Sequence, residues 1–254
     1  MRHSSREKIL TQRFENGRRS PGFTILELLV VIAVIFILAK LLFPALSRAK
    51  EVSRRAACAS NLHQIVLGIN VYKDDFGGAV PQTLGGAGWL WDLPVDTTNL
   101  FEQRLNLKRA MFYCPSNQYQ NNDALWNLSP STRVTGYYWL MERIGGAPAL
   151  TNVVNNIPHY VSGFPDPTPS ETPLVTDATI STGSTTTSSF SNIVGGWSQP
   201  HRSNHFSAAM PVYGNVVSLA QPAAGGNVAF CDGHVEWKNL SRMAVHANSP
   251  YQWF

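Results

Sequence analysis

From Phe23 to Leu46 the chain reads FTILELLVVIAVIFILAKLLFPAL, 24 residues in which only Glu27 and Lys40 are charged. A helix needs about 20 apolar residues to cross a hydrocarbon core, so this segment is long enough to span a membrane. It is apolar on nearly every face, whereas a surface helix of a globular domain carries a polar stripe; a fully buried helix of a soluble core is the alternative. Arg2, Arg6, Lys8, Arg13, Arg18 and Arg19 precede it, against Glu7 and Glu15. By the positive-inside rule the N-terminus is therefore expected on the cytoplasmic side, with the body after residue 47 outside.

The same charge distribution argues against nucleic-acid binding. The 254 residues hold 20 Lys+Arg against 16 Asp+Glu, a net of +4, with a pI near 9.1. All the excess lies ahead of the apolar segment, and residues 23–254 balance to zero. A nucleic-acid binder carries its basic face on the folded body. With 44% hydrophobic and 14% charged residues, the chain can build a core and falls outside the disordered class.

A cleaved secretory signal shares the basic start and apolar run but ends in a small-residue cleavage site. Here LLFPAL passes without a break into SRAKEVSRRAACASNLHQIVLGINVYKDDF. Cys58, Leu62, Ile65, Ile69, Tyr72 and Phe76 recur there at helical spacing, with charges on the other faces. One helix is expected from about residue 24 to 74, ~75 Å long, closed by Asp74-Asp75-Phe76-Gly77-Gly78 and Pro81. Residues 23–46 anchor it, and residues 47–76 pack on a head domain. Pro44 lacks an amide hydrogen and is expected to kink it, for filament packing or simply at the membrane interface. Glu27 is costly, about 2.5–3.5 kcal/mol for an acidic residue mid-span, and calls for a partner. Snorkelling toward the cytoplasmic headgroups is the alternative.

RRSPGFTILELLVVIAVIFILAKLLFPAL resembles the N-terminus of type IV prepilins and type II secretion pseudopilins. The resemblance implies a cytoplasmic leader, 1–22, cut between Gly22 and Phe23 by a membrane-embedded prepilin peptidase that also N-methylates Phe23. It makes Glu27 the fifth mature residue and Pro44 the twenty-second, both family positions. It also implies other pilin-like subunits and an inner-membrane assembly platform as partners. Chemistry fits: Gly22 leaves the scissile carbonyl open, and Pro21 keeps the chain non-helical before the cut. The new amine of Phe23 has a pKa near 7.7–8.0. The Glu27 carboxylate of a neighbouring subunit can neutralise it in a dry filament core.

Residues 77–254 are expected to form a β-rich head domain. Short apolar runs, VTGYYWLM, TPLVTDATI and NVAFCDGHVEW among them, alternate with turn signals. A short helix is expected near Leu100–Arg109, and a Ser/Thr-rich loop at 179–192. The fold class is then α+β, a long N-terminal helix packed on an antiparallel sheet. Asp232-Gly233 reads as a two-residue turn joining strands 227–231 and 234–238. That register sets Phe230 opposite Val235 and Val228 opposite Trp237. Asp232-Gly233-His234-Val235 also resembles the end of an H-X9-DG signature found in one branch of the pseudopilin-like proteins. With nine residues intervening before Asp232, the histidine position holds Pro222, so an insertion near 206–224 is expected to have displaced His201 or His205. CASNLHQI, FYCPSN and PSETPLVTD resemble the same branch.

Catalytic motifs are absent: there is no G-x-S-x-G, P-loop or Rossmann fingerprint. No enzyme is expected. Cys58, Cys114 and Cys231 allow three pairings on an oxidising side of the membrane, with Cys58–Cys114 favoured and buried free thiols the alternative. His201, His205, His234, Cys231 and Asp232 could be drawn into a metal site, but no ligand spacing supports it. No cofactor is expected. Calcium, which some similar pseudopilins bind, would have to use Asp74, Asp75, Asp177 and Asp232, and these form no recognisable loop. The expected function is a pilin-like structural subunit of a secretion or pilus-like filament, without nucleic acid. A membrane-tethered extracytoplasmic binding domain that never assembles is the alternative, and a surface enzyme using the same export route is a third.

Overall fold

The computed structural model describes residues 23–81, 83, 89–117, 119–141, 169–181, 183, 203–205, 225–247 and 251–253. The leader 1–22, with Gly22, lies outside them, as do His201, Pro222 and most of the stretch 179–192. The chain divides into two compact units, up to Leu46 and from Ser47.

One helix, α1 (Ile25–Asp75), runs without interruption through Pro44, within a residue of the expected limits. Its start is fixed by a reciprocal cap. The Thr24 backbone N–H and hydroxyl both donate to Glu27 Oε2 (2.9 and 2.8 Å), and Glu27 N–H donates to Thr24 Oγ1 (3.2 Å). This is the T-x-x-E capping box, which satisfies amides that the helix itself leaves unpaired. Among the described residues the first unit is one apolar helical stretch whose large side chains, Phe23, Ile25, Leu26 and Phe36 among them, are exposed. It is long and apolar enough to cross a membrane.

In the second unit Cys58, Leu62, Ile65, Val66 and Ile69 of α1 are buried. They face a four-stranded antiparallel sheet ordered β3 (Tyr137–Trp139), β4 (Pro173–Asp177), β6 (Gly225–Phe230), β7 (Val235–Asn239). A two-stranded ribbon joins β1 (Asp92–Pro94) to β2 (Thr132–Val134). A third sheet is ordered β5 (Thr179–Ser181), β9 (Tyr251–Trp253), β8 (Val245–Ala247). Every strand pair is antiparallel. The fold is therefore α+β, a helix packed on an antiparallel sheet. In the core Phe101 stacks on Phe112 (6.2 Å between ring centroids), and Trp139 of β3 meets both at a tilt (5.9 and 6.2 Å).

Three local expectations need correction. The short helix is α2 (Val95–Arg104), five residues before its expected place, because Pro94 ends β1 and immediately precedes the first turn. Residues Arg109–Phe112 form only a 3-10 turn. Thr179–Ser181, the start of the Ser/Thr-rich stretch, are a buried strand.

The third correction is the hairpin register. Ala229 pairs with Val235, Val228 with Glu236 and Asn227 with Trp237, one residue away from the expected pairing. Cys231, Asp232 and Gly233 make a three-residue loop, closed by Gly233 N–H on Phe230 O (2.9 Å) and Phe230 N–H on His234 O (3.0 Å). Gly233 has φ +96°, a conformation only glycine adopts at little cost. Such loops end in a left-handed residue, so Asp-Gly serves either register. Alternation could not decide because all six residues of β6 are buried, leaving no polar face to read.

Close packing at this hairpin yields a contrast. A Cβ on Gly225 would run into the Lys238 carbonyl oxygen and lie 2.9 Å from Cζ2 of Trp237, whereas one on Gly68 meets the movable Cδ1 of Leu105 at 2.7 Å. We expect Gly225→Ala to destabilise the chain by about 1–3 kcal/mol. Gly68→Ala should stay within about 1 kcal/mol of wild type, since helix propensity offsets the contact. Denaturant melts of the detergent-solubilised full chain measure both.

Candidate functional site

Two places concentrate chemistry, and they lie in different units. At the first, Phe23 is exposed immediately ahead of α1, and Glu27 is held by Thr24 in the first helical turn. Both Thr24 donors use Oε2. A carboxylate has about four acceptor positions, so Glu27 keeps capacity for a further cation. Pro44 sits inside α1.

The second is built where α1 crosses the end of β4. Asp177, the last residue of that strand, is completely enclosed, and its charge is met by donors from every side. Oδ1 accepts the Asn204 amide (2.9 Å) and the Cys58 thiol (3.2 Å). Oδ2 accepts the Asn227 backbone N–H (2.7 Å) and side-chain amide (3.1 Å) and faces His205 Nε2 at 3.1 Å. Cys114 Sγ lies 3.2 Å from the same Nε2. On the opposite edge of the ring, Nδ1 meets Glu51 Oε1 at 2.9 Å and Ser116 Oγ at 3.0 Å. The Tyr137 hydroxyl closes the group 3.4 Å from Cys58 Sγ.

Position on the fold explains the convergence. Cys58 lies on the buried face of α1 and Glu51 two turns earlier, at the edge where Arg55 also reaches it (3.7 Å). Asn227 stands on β6, beside β4, so its amides point at the neighbouring strand's carboxylate. Ser203–His205 dock on the free end of the sheet: Ser203 Oγ bonds Ile180 N and O, and Asn204 N–H bonds Ala178 O (3.0 Å). His205 has φ +56°, unusual for a residue with a side chain. That strain is held by its surroundings.

Electrostatics follow from the enclosure. Burial alone would lower His205, but the Asp177 carboxylate and the bonds to Cys58 and Glu51 raise it to about 12. Burial opposes the charge on Asp177 too, yet His205 and the Asn227 amide keep its carboxyl below the ordinary value. Glu51 is lowered for the same kind of reason, with His205, Ser116 and Arg55 outweighing burial. Burial pushes both thiols up, Cys58 strongly and with help from Cys114 and Asp177.

Cys114, His205 and Glu51 stand in the order of nucleophile, base and orienting acid. A catalytic thiol needs access and a depressed pKa. Cys114 is 1% exposed and its thiol is raised, so the arrangement suits holding something rather than attacking it.

The residues read from sequence are thus sorted. Cys58 and Cys114 come together as expected, but as free thiols; Cys231 is also a buried free thiol. Among the four carboxylates considered for calcium, only Asp177 enters this cluster; Asp74 and Asp75 are exposed at the end of α1 and Asp232 is at the hairpin turn. Of the drawn metal set, His201 lies outside the described residues, and among the described members only His205 joins the cluster. Asp232 Oδ1 instead accepts from His234 N–H (3.0 Å) and contacts His234 Nδ1 (2.6 Å), and the turn docks on α1. There His63 Nδ1 meets Gly233 O at 2.6 Å, and Asn70 donates to Cys231 O at 3.0 Å. Glu51, Asn204 and Asn227 carry no sequence signal of their own.

Removing the Asp177 charge leaves the Asn227 backbone amide without its acceptor and the buried His205 cation with Glu51 as its one carboxylate. Asp177→Ala should cost about 3–5 kcal/mol. Equilibrium unfolding of the full chain measures it, with the exposed Asp75→Ala as a control expected within about 0.5 kcal/mol of wild type.

Residues 17–39 match the family model described as a prokaryotic N-terminal methylation motif. Residues 47–204 match the model described as a protein of unknown function, DUF1559. No curated protein and no solved structure matches significantly. The N-terminal match makes the start of the chain prepilin-like, and the pair of matches is typical of H-X9-DG pseudopilin-like proteins. Since the second model covers more than half of the sequence, the chain belongs to the DUF1559 family and carries a prepilin-type N-terminal methylation motif ahead of its family domain.

Proposed function

We propose that the protein is a pseudopilin-like structural subunit. It inserts into the inner (cytoplasmic) membrane with residues 1–22 on the cytoplasmic side and the head outside. Prepilin peptidase cuts between Gly22 and Phe23 and methylates the new terminus. An inner-membrane platform then assembles it with other pilin-like subunits into a type II secretion or type IV pilus-like filament. Assembly is its activity, and no catalytic step is assigned to the head.

The carrying observation is the methylation motif over residues 17–39 running directly into a helix whose apolar side chains are exposed. An exposed surface of Leu, Ile, Val and Phe needs lipid or other helices around it. Branched and small residues such as Val30, Val31, Ala33 and Val34 suit close helix packing. Glu27 supplies register. Its carboxylate caps its own helix through Thr24 and retains acceptor capacity for the amine of a neighbour's Phe23. In a dry core only a stagger that makes this pair avoids an unpaired charge.

Two measurements test the reading. Peptide mass spectrometry of the protein from its native membrane should find an N-methylated Phe23 terminus; a chain retaining residues 1–22 would sink the processing step. Glu27→Ala should leave the membrane level of the processed chain unchanged and abolish its recovery in sheared filaments. Recovery equal to wild type would leave a membrane-tethered extracytoplasmic domain as the answer.

A further inference from the structure

Four segments distant in sequence deliver Cys58, Cys114, Asp177 and His205 to one point, with one ligand atom of each lying within 4.8 Å of all the others. We propose that these four side chains form a closed, four-coordinate site for a divalent transition metal, Zn2+ by preference, ligated by Cys58 Sγ, Cys114 Sγ, an Asp177 carboxylate oxygen and His205 Nε2.

The distances fit such an ion. With Zn–N and Zn–O near 2.0–2.1 Å and Zn–S near 2.3 Å, the edges of a tetrahedron are about 3.3–3.8 Å. With Oδ2 as the Asp177 ligand atom, Cys58 Sγ lies 3.4 Å from it and His205 Nε2 3.1 Å from it, and Cys114 Sγ is 3.2 Å from His205 Nε2. The remaining pairs lie within 4.8 Å, so side-chain shifts of about 1 Å bring the four atoms to the edges of such a tetrahedron.

The surroundings are those of a metal site as well. His205 offers Nε2 to the ligands while Nδ1 is engaged by Glu51. Such an outer carboxylate fixes which nitrogen binds and raises its basicity. Asn204 and Asn227 orient the Asp177 carboxylate. All four ligands are at most 1% exposed. Two thiols, a carboxylate and an imidazole are a costly way to fill a core that Val or Leu would fill without desolvation. The strained backbone of His205 adds to that cost.

The donor set also selects the metal. Calcium takes 6–8 oxygens, which two sulfurs and a nitrogen cannot replace. Thiolate with imidazole in a closed tetrahedron suits Zn2+. On binding, the two thiol protons and the Nε2 proton leave to solvent, and no oxidant or reductant is required. The ion would tie α1 to the Cys114 loop, β4 and the Ser203–His205 segment, so its binding energy becomes folding energy of the head. This role replaces both the Cys58–Cys114 disulfide and the calcium set considered from sequence. It stands independently of whether the chain assembles.

The test uses the full chain in detergent, reduced, stripped with a chelator and titrated with Zn2+ or Co2+ alone. One ion per chain is expected, with a thiolate-to-cobalt charge-transfer band and the intense visible bands of tetrahedral cobalt, and a Tm that rises on Zn2+ addition. Cys58→Ser and Cys114→Ser should lose the ion, and Cys231→Ser should keep it. Glu51→Gln, a positioning change, should bind about 10–100-fold more weakly with the same cobalt spectrum. Wild-type stoichiometry is decisive even where a serine variant fails to fold. Substoichiometric binding, a cobalt spectrum without thiolate ligation, or full binding by Cys58→Ser and Cys114→Ser would overturn the site. So would a Cys58–Cys114 disulfide in protein taken from its native membrane.

Discussion

A carboxylate with no access to water organises the head domain. Asp177 ends β4 inside the core, and a charge there is tolerated only where donors surround it. Those donors come from α1, from β6 and from Ser203–His205. Each of those segments is thereby fixed to the same two oxygen atoms. Apolar packing of Leu62, Ile65 and Ile69 supplies adhesion between helix and sheet. It is non-directional, so the rotation of α1 and the alignment of β4 with β6 are set by the polar group.

The long helix meets two different requirements along its length. Residues 25–46 are apolar all round and leave no face for water, while from Cys58 onward the apolar positions shrink to one stripe. Continuity between the two matters because a helix satisfies its own backbone in either solvent. Its first amides need outside partners, and Thr24 with Glu27 provides them locally. Glu27 thus has a structural reason to be where it is in the single chain, and any role between chains is added to that.

Legibility in the sequence follows from how local each determinant is. The helix was readable because composition and period both change along it, and its limits came within a residue. The T-x-x-E at Thr24–Glu27 carries a capping-box signal that the reading of Glu27 as an intramembrane charge passed over. Asp232-Gly233 marked the turn correctly, but β6 is buried on both faces, so the register slipped by one. At the cluster each ligand was individually visible, Cys58 and Cys114 as a disulfide, Asp177 as a calcium carboxylate, His205 as a displaced histidine. Their union depends on strand order β3-β4-β6-β7 and on where α1 crosses it, which no spacing encodes.

His205 and the Asp232-Gly233 pair act at different ends of one strand. β6 opens beside the cluster, with Asn227 on Asp177, and closes at the turn that His63 and Asn70 of α1 hold. What geometry requires is the length from Asn227 to Gly233, which the strand itself sets. Taking His205 as the signature histidine, its separation from Asp232 grows from nine residues to 26. Loop closure rises only logarithmically with length, about 1 kcal/mol for a threefold longer connection. The bonds at His205 and Asn204 are numerous enough to offset that. An insertion of that length would therefore change the spacing of the motif without requiring either of its parts to move.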